Sequence, residues 1–141
     1  MFVKVYPEQL KDHWPMICDA YIASVPDPKE ASLSLLALNL LSLKAVCWFA
    51  LEEDSIAAVF ITQVSDDPAR GGKTITILAA HAIGVTNETM FLTGYKTMQE
   101  YAKSLNITKF DFFTSNEKIK QYARMFENRI EQTYFQLTLE V

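Results

Sequence analysis

The chain has 141 residues, a formal net charge of −4, 50% hydrophobic residues and 12% aromatic residues. This length fits one domain spanning residues 1–141, and the high apolar content excludes a disordered chain. Lysines and arginines are scattered rather than clustered, so we expect no nucleic-acid partner. The most apolar stretch, 31–49, is interrupted by Asn39 and Lys44, whereas a membrane span needs about 20 continuous apolar residues.

The cysteines and the first residues predict the compartment. Cys18 and Cys47 lie in apolar contexts, and two cysteines are too few for a disulfide scaffold, so we expect two buried, reduced thiols. The N-terminal residues lack the basic stretch, apolar run and cleavage site of a secretory signal peptide. The expected location is therefore the cytoplasm, with no membrane partner.

Two helices are predicted after a short N-terminal strand. Alternating residues 3–6 predict the strand, which Pro7 ends. A helix over 12–23 would have Asp12 as its cap and Pro15 in its first turn, where a missing N–H costs little. A second helix is predicted over 31–43. Leucines occupy most of the circumference of this helix. Such a helix is either covered by the rest of the chain on two sides or contacts a partner, and we favour burial in the core.

Three strands are predicted next, over 46–51, 56–64 and 73–83. An amphipathic helix follows and ends near Asn106. The chain then shows a strand over 109–113, a helix that Asn116 can cap, and a strand over 132–139. The order β-α-α-β-β-β-α-β-α-β predicts an α/β fold with a mixed sheet between helices. We expect the last two strands to fill the sheet core with aromatic side chains, or else to expose them to a partner: Phe110, Phe112, Phe113, Tyr134 and Phe135.

Two segments carry a resemblance to a known family. MQEYAKSLNITKFDFFTSN resembles the central helix and following strand of the GNAT N-acetyltransferases, and TSNEKIKQYARMFENRIEQTYFQL resembles their last helix and strand. Ala102 to Asn106 match the helix end A-x-x-x-G, with Asn106 in place of glycine; both residues readily adopt the left-handed cap conformation. The chain is also similar in character to small GNAT-like proteins of tailed bacteriophages, some of which are head- or virion-associated.

The resemblance places the acetyl-CoA loop at 86–91. The family's motif there is Q/R-x-x-G-x-G/A, whose glycines and exposed N–H groups receive a pyrophosphate at the start of the central helix. In this chain Thr89 and Phe91 replace the small residues, and Glu88 adds a negative charge. No glycine lies between Gly84 and Gly94. The sequence therefore predicts no cofactor, with acetyl-CoA as the alternative.

If acetyl-CoA does bind, the resemblance names the residues that would hold it. They are the backbone of the third central strand and the remains of the loop: Leu78, Ala79, Ala80, Thr86, Asn87 and Thr89. The strand would hold the pantetheine arm by strand-like hydrogen bonds.

Two residues are candidates for acid and base catalysis. The family's general acid is a tyrosine seven residues after Asn116, at Ala123 here, while Tyr122 comes one residue early. One residue turns a side chain by about 100° around a helix, so a core position for Tyr122 is favoured over an acid. His81, in the third central strand, lies close to where the resemblance would place a general base or a substrate contact. A histidine in a strand more often has a structural role, with its hydrogen bonds satisfied. No metal site is predicted, because the histidines and cysteines show no convergent spacing.

Two functions follow from this sequence. The first is a non-catalytic binding or structural module that keeps the GNAT-like scaffold and contacts a protein partner or a second copy, in a phage particle or against a host protein. The helix over 31–43 is its candidate interface. The alternative is a divergent acyl-CoA-dependent N-acyltransferase, with His81 or water as base and Tyr122 as acid.

Overall fold

A five-stranded sheet forms the middle of the computed structural model, which describes residues 1–25, 29–84, 87–114, 116–132, 137 and 139–140. The strands are β1 (Phe2–Val5), β2 (Ala45–Glu52), β3 (Ser55–Asp66), β4 (Lys73–Ala82) and β5 (Phe110–Phe112), and they lie in this order in the sheet. The first four are antiparallel neighbours, and β5 runs parallel to β4. The predicted α/β fold with a mixed sheet is confirmed, whereas the strand predicted over 132–139 falls mostly outside the described residues.

Helices cover both faces of this sheet. They are α1 (Leu10–Ser24), α2 (Glu30–Leu41), α3 (Glu88–Ser104) and α4 (Glu117–Ala123). On one face, α1 and α2 bury Ile17, Leu36 and Leu40 against the strands in the larger core. On the other face, Ala102 of α3 packs with Ile75 of β4 in a smaller core. Alternation along the strands supplies one apolar row to each layer of helices.

Local capping signals agree with the structure at two helix ends. Asn106 follows α3 with a φ of 56°, the left-handed conformation predicted for it. The side chain of Asn116 accepts hydrogen bonds from the N–H groups of Lys118 and Ile119 at the start of α4, which confirms its predicted role as a cap. The start of α1 differs from the prediction: a 3-10 turn at Pro7–Gln9 leads directly into the helix, so Asp12 lies in the first turn instead of capping it.

Two expectations about burial are wrong. In α2 only Leu36 and Leu40 are buried. Four other leucines, in α2 and just after it, expose 61–66% of their surface: Leu35, Leu38, Leu41 and Leu43. The reason is that α2 packs on the sheet with one face and no described element covers the other. Phe113 is 71% exposed because it lies beyond the end of β5, and the sheet core therefore stops short of it.

The cysteines are both free, as expected, but only Cys47 is buried, and Cys18 is half-buried. Burial raises the pKa of the Cys47 thiol to about 12. Among the described residues, no helix combines the length and the apolar character that crossing a bilayer requires.

Candidate functional site

The candidate site is the edge of β4 that faces β5. Strand β3 pairs with β4 from Lys73 to Ala82, whereas β5 pairs only with Ile75, Thr76 and Ile77. From Leu78 to Ala82, none of the described strands pairs with β4 on this side. Backbone N–H and C=O groups must find hydrogen-bond partners. This edge can therefore receive an extended ligand that carries amide groups.

A β-bulge marks the point where the edge becomes free. Ile61 of β3 pairs with Ala79, but its neighbour Thr62 pairs with Ile77, so Leu78 is an extra residue in β4. A bulge bends its strand and increases the local twist. We therefore expect β4 to change direction at Leu78, so that its second half diverges from β5.

The start of β5 is tied by an ion pair to the turn before β4 and by a backbone hydrogen bond to β4 itself. Lys109, just before β5, places its Nζ 2.8 Å from Oδ2 of Asp67, and its carbonyl oxygen accepts a hydrogen bond from the N–H of Ile75. The hydrogen bond from Lys109, aided by the N–H groups of Arg70 and Ala69, lowers the pKa of Asp67 against the opposing effect of its burial. The two strands are thus fixed where they begin and free to diverge where the candidate site lies.

The end of α1 lies against the second half of β4. The Ser24 hydroxyl has two carbonyl oxygens within hydrogen-bond distance for its single proton: that of Ala20, 2.8 Å away in its own helix, and that of Ala80, 3.2 Å away in β4. The C-terminal end of α1 therefore lies beside the second half of β4. Ser24 carries no functional signal in the sequence, because 56 residues separate it from Ala80.

The predicted strand residues are placed at this edge, and they face different ways. Leu78 and Ala80 are exposed, whereas Ala79 is buried in the larger core. His81 is half-buried and pairs across the sheet with Val59, which belongs to the core under α1 and α2. His81 thus lies on the α1 face of the sheet, near the edge, and its imidazole makes no hydrogen bond within the described part of the chain.

A side chain caps one N–H group at the N-terminus of α3. Oδ1 of Asn87 accepts a hydrogen bond from the N–H of Met90 at 2.9 Å, and Glu88 lies in the first turn. A carboxylate at this position already offsets the positive end of the helix dipole. Thr89 is exposed, and Thr86 lies outside the described residues. The Glu88 charge and the Asn87 cap disfavour a pyrophosphate at this helix end, where Asn87 and Thr89 are the loop residues that the resemblance names.

An aromatic cluster fills the space between α3 and α4. Phe91 lies 5.4 Å from Tyr122 and 6.2 Å from Phe126, between ring centroids. Tyr95 stacks on Phe126 at 4.0 Å and meets Phe110 of β5 edge-on at 5.4 Å. The cluster consists of Phe91, Tyr95, Phe110, Tyr122 and Phe126. It holds Tyr122 on the α3 face of the sheet, so the structure does not bring Tyr122 and His81 together.

Two shallow cavities lie away from the free edge. One of about 150 Å³ adjoins the start of α3, where Glu52 and Asn87 contribute to its wall. The other, about 320 Å³, lies beside Lys44, Lys73 and Tyr101. The described residues hold no group of three or more histidine, cysteine, aspartate or glutamate side chains placed to bind a metal ion.

Many solved structures similar in fold to this chain are acetyltransferases, whereas no family model and no curated protein matches its sequence. A predicted acetyltransferase from Clostridium acetobutylicum, crystallised with acetyl-CoA, has a TM-score of 0.71 at 15% identity, over 98% of this chain and 95% of that one. A ribosomal-protein-alanine N-acetyltransferase from Brucella melitensis biovar Abortus 2308 reaches 0.70 at 8% identity, over 99% of each chain. An aminoglycoside acetyltransferase from an uncultured soil metagenomic sample reaches 0.68 at 10% identity, over 98% of this chain and 96% of that one.

Proposed function

We propose that this chain, which has the GNAT acetyltransferase fold, is a divergent acyltransferase that passes an acyl group from an acyl-CoA thioester to an amine. The observation that supports this most is the free edge of β4 from Leu78 to Ala82. The pantetheine arm of CoA carries amide groups, and an extended ligand with amides can add to an open strand as a further strand does. One similar structure contains acetyl-CoA, and others are named as N-acetyltransferases.

The residues at the edge suit the chemistry of acyl transfer. Bound acyl-CoA supplies a thioester carbonyl. Free N–H groups of β4 can donate to the carbonyl oxygen, which gains negative charge as the amine attacks. His81 can take the proton that the amine loses when the new C–N bond forms and the C–S bond breaks. Because Tyr122 lies in the aromatic cluster, water is the proton source for the departing thiolate in this proposal.

In this proposal, acyl-CoA binds differently from the way that the resemblance implies. Asn87 already uses the N–H of Met90, and Glu88 places a negative charge where a pyrophosphate would approach. Phe91 packs against Tyr122, so a large ring fills the second small-residue position of the loop motif. We therefore expect the pantetheine arm to contribute most of the affinity and the nucleotide end to contribute little.

A non-catalytic protein-binding module is the second candidate function. The start of α3, with its Asn87 cap and the charge of Glu88, favours it, because an enzyme that uses acyl-CoA gains from holding the pyrophosphate at this position. In this case the free edge of β4 would accept a peptide strand instead of pantetheine. Both candidates use the same edge and differ in the ligand.

Calorimetric titration with acetyl-CoA and with acetyl-pantetheine tests the proposal. We expect both to bind, with affinities that differ by no more than about fivefold, since a charge at a helix end changes binding by about 0.3–1 kcal/mol. Transfer to a primary amine should then release free thiol. A folded protein that shows no heat with millimolar acetyl-CoA would refute the acyltransferase and leave the binding module.

A matched pair of variants locates the ligand. Ala80→Trp adds a large side chain beside the free edge, and Ala69→Trp adds the same side chain in the turn before β4; both alanines are exposed, so both variants should fold. We expect Ala80→Trp to weaken acetyl-CoA binding at least about tenfold, or 1.4 kcal/mol, while Ala69→Trp leaves it unchanged. Equal effects from the two variants would exclude the edge as the site.

A further inference from the structure

The larger cavity, of about 320 Å³, lies beside the last turns of α3. Its apolar part is formed by Val46 of β2 and Val64 of β3, and Tyr101 of α3 stands beside them. From Asn87 to Tyr101 the helix rises by about 21 Å, at about 1.5 Å per residue. The cavity therefore lies apart from the start of α3, where the resemblance places a nucleotide. Its volume is at the small end of the range for ligand sites, about 300–1,000 Å³.

Three polar side chains in the wall of this cavity have hydrogen-bonding capacity that the described residues leave unused. The Tyr101 hydroxyl and the Gln63 amide make no hydrogen bond with any described group. Thr62 is only 1% exposed, and its Oγ1 accepts the Nε1–H of Trp48 at 3.0 Å. For its own proton Thr62 has, among the described groups, only the Val46 carbonyl oxygen, 3.5 Å away. Because hydroxyl hydrogen bonds are usually about 2.5–3.0 Å long, this proton is available to an acceptor in the cavity.

Positive charge surrounds the cavity. Lys44 and Lys73 contribute to its wall, and Lys4 places its Nζ 4.6 Å from the centre of the Tyr101 ring. Lys73 is paired with Asp66 at 3.1 Å, whereas Lys44 makes no ion pair with any described residue. Within the described part of the chain, no carboxylate contributes to the wall. The cavity therefore favours a ligand that carries negative charge and hydrogen-bond acceptors.

The backbone beside the cavity supplies an independent observation. Leu43 has a φ of 63°, in the left-handed region that glycine adopts far more readily than leucine. This conformation lies between the end of α2 and the start of β2, where Leu43 and Lys44 reach the cavity wall. Strained backbone persists where the surrounding structure holds it in place, and it clusters at ligand sites.

We infer that this cavity binds a small organic anion. The carboxylate or phosphate group of the ligand accepts hydrogen bonds from Lys44, Thr62 and Tyr101, and its short apolar part contacts Val46 and Val64. Hydrogen bonds from a cationic donor to an anion are about twice as strong as neutral ones, so they supply most of the affinity. The site does not depend on the acyltransferase proposal, because it uses none of the residues at the free edge of β4.

A two-dimensional NMR titration of the ¹⁵N-labelled full chain at constant ionic strength tests this inference. The anionic probes are butyrate and inorganic phosphate, and butylamine is a cationic probe of similar length. We expect saturable shifts of the Gln63 and Val64 amides with at least one anion, at a dissociation constant below about 5 mM, and none with butylamine. Tighter binding of phosphate would indicate a phosphorylated ligand, and tighter binding of butyrate a carboxylate. No saturable shift with either anion up to about 50 mM, or equal shifts with butylamine, overturns the inference.

Three variants locate the bound anion. Lys44→Gln removes a cation from the wall, and Tyr101→Phe removes only a hydroxyl and keeps the ring that packs on Trp48. We expect each to weaken the better anion about fivefold or more, because each removes a donor to a charged group. Lys11→Gln is the matched control: it changes the net charge equally at an exposed lysine of α1, on the other face of the sheet, and should leave binding unchanged. Equal weakening by Lys44→Gln and Lys11→Gln would mean that the anion does not bind in this cavity.

Discussion

Replacing Asn87 measures how firmly the start of α3 is held by its own side chain. Its Oδ1 accepts the N–H of Met90 at 2.9 Å, which satisfies one of the otherwise unpaired donors of the helix. Replacing an asparagine cap by alanine costs about 1 kcal/mol, and by glycine a few tenths. We therefore expect Asn87→Ala to lower the free energy of unfolding by about 1 kcal/mol and Asn87→Gly by clearly less.

The expected shift in melting temperature follows from the length of the chain. Unfolding near 60 °C carries an entropy of about 2.1 cal/mol/K per residue, or about 0.3 kcal/mol/K for a chain of this size. A loss of 1 kcal/mol thus corresponds to a fall in Tm of about 3 °C for Asn87→Ala.

Urea denaturation gives the free energy, and an unchanged m-value would show that the same surface unfolds in each variant. Asn116→Ala is the matched control, since Asn116 caps α4 in the same manner. An unchanged free energy of unfolding for Asn87→Ala would refute the reasoning, because it would mean that the amide oxygen contributes nothing at this helix end.

Four further outcomes are expected. Glu88→Gln should tighten acetyl-CoA binding about two- to fivefold at low salt, by removing a negative charge from the helix end; an unchanged affinity would mean that the ligand does not approach it. His81→Gln should lower kcat by about 10²–10⁴ with KM little changed, and full activity would exclude it as the base. The lowered pKa of Asp67 contributes stability that is present above about pH 5 and lost as pH falls through the folded pKa. Denaturation of Asp67→Asn should therefore differ from wild type at pH 7 and approach it near pH 3, whereas a gap that widens on acidification would contradict the ion pair with Lys109. Because burial raises the pKa of Cys47 to about 12, iodoacetamide at pH 8 should label it only after unfolding, and rapid labelling in the native protein would show that it is accessible.

The order of strands and helices could be predicted from the sequence because it depends on neighbours along the chain. Alternation over a few residues indicates a strand, and a spacing of three or four indicates a helix. The caps at Asn106 and Asn116 are equally local, since each acts within its own turn of backbone. The resemblance to the GNAT family rests on the same local patterns, and the fold that it implies is confirmed.

The site is harder to predict, since its decisive contacts join distant residues. Ser24 reaches Ala80 across 56 positions, and Lys109 reaches Asp67 across 42. The catalytic and binding residues named from the sequence stay predictions. The structure places His81 and Tyr122 on opposite faces of the sheet, a separation that no one-dimensional spacing reveals.

The sequence by itself determined the α/β class, the succession of elements and the absence of a glycine-rich loop before α3, because each is a property of residues close together in the chain. Only the tertiary structure decided that β5 pairs with three residues of β4, that no described strand pairs with Leu78 to Ala82 on this side, and that the described residues cover one side of α2 and not the other. A uniformly apolar helix has no pattern that distinguishes its two sides. Burial is settled by what packs against a side chain, and those atoms come from remote parts of the chain.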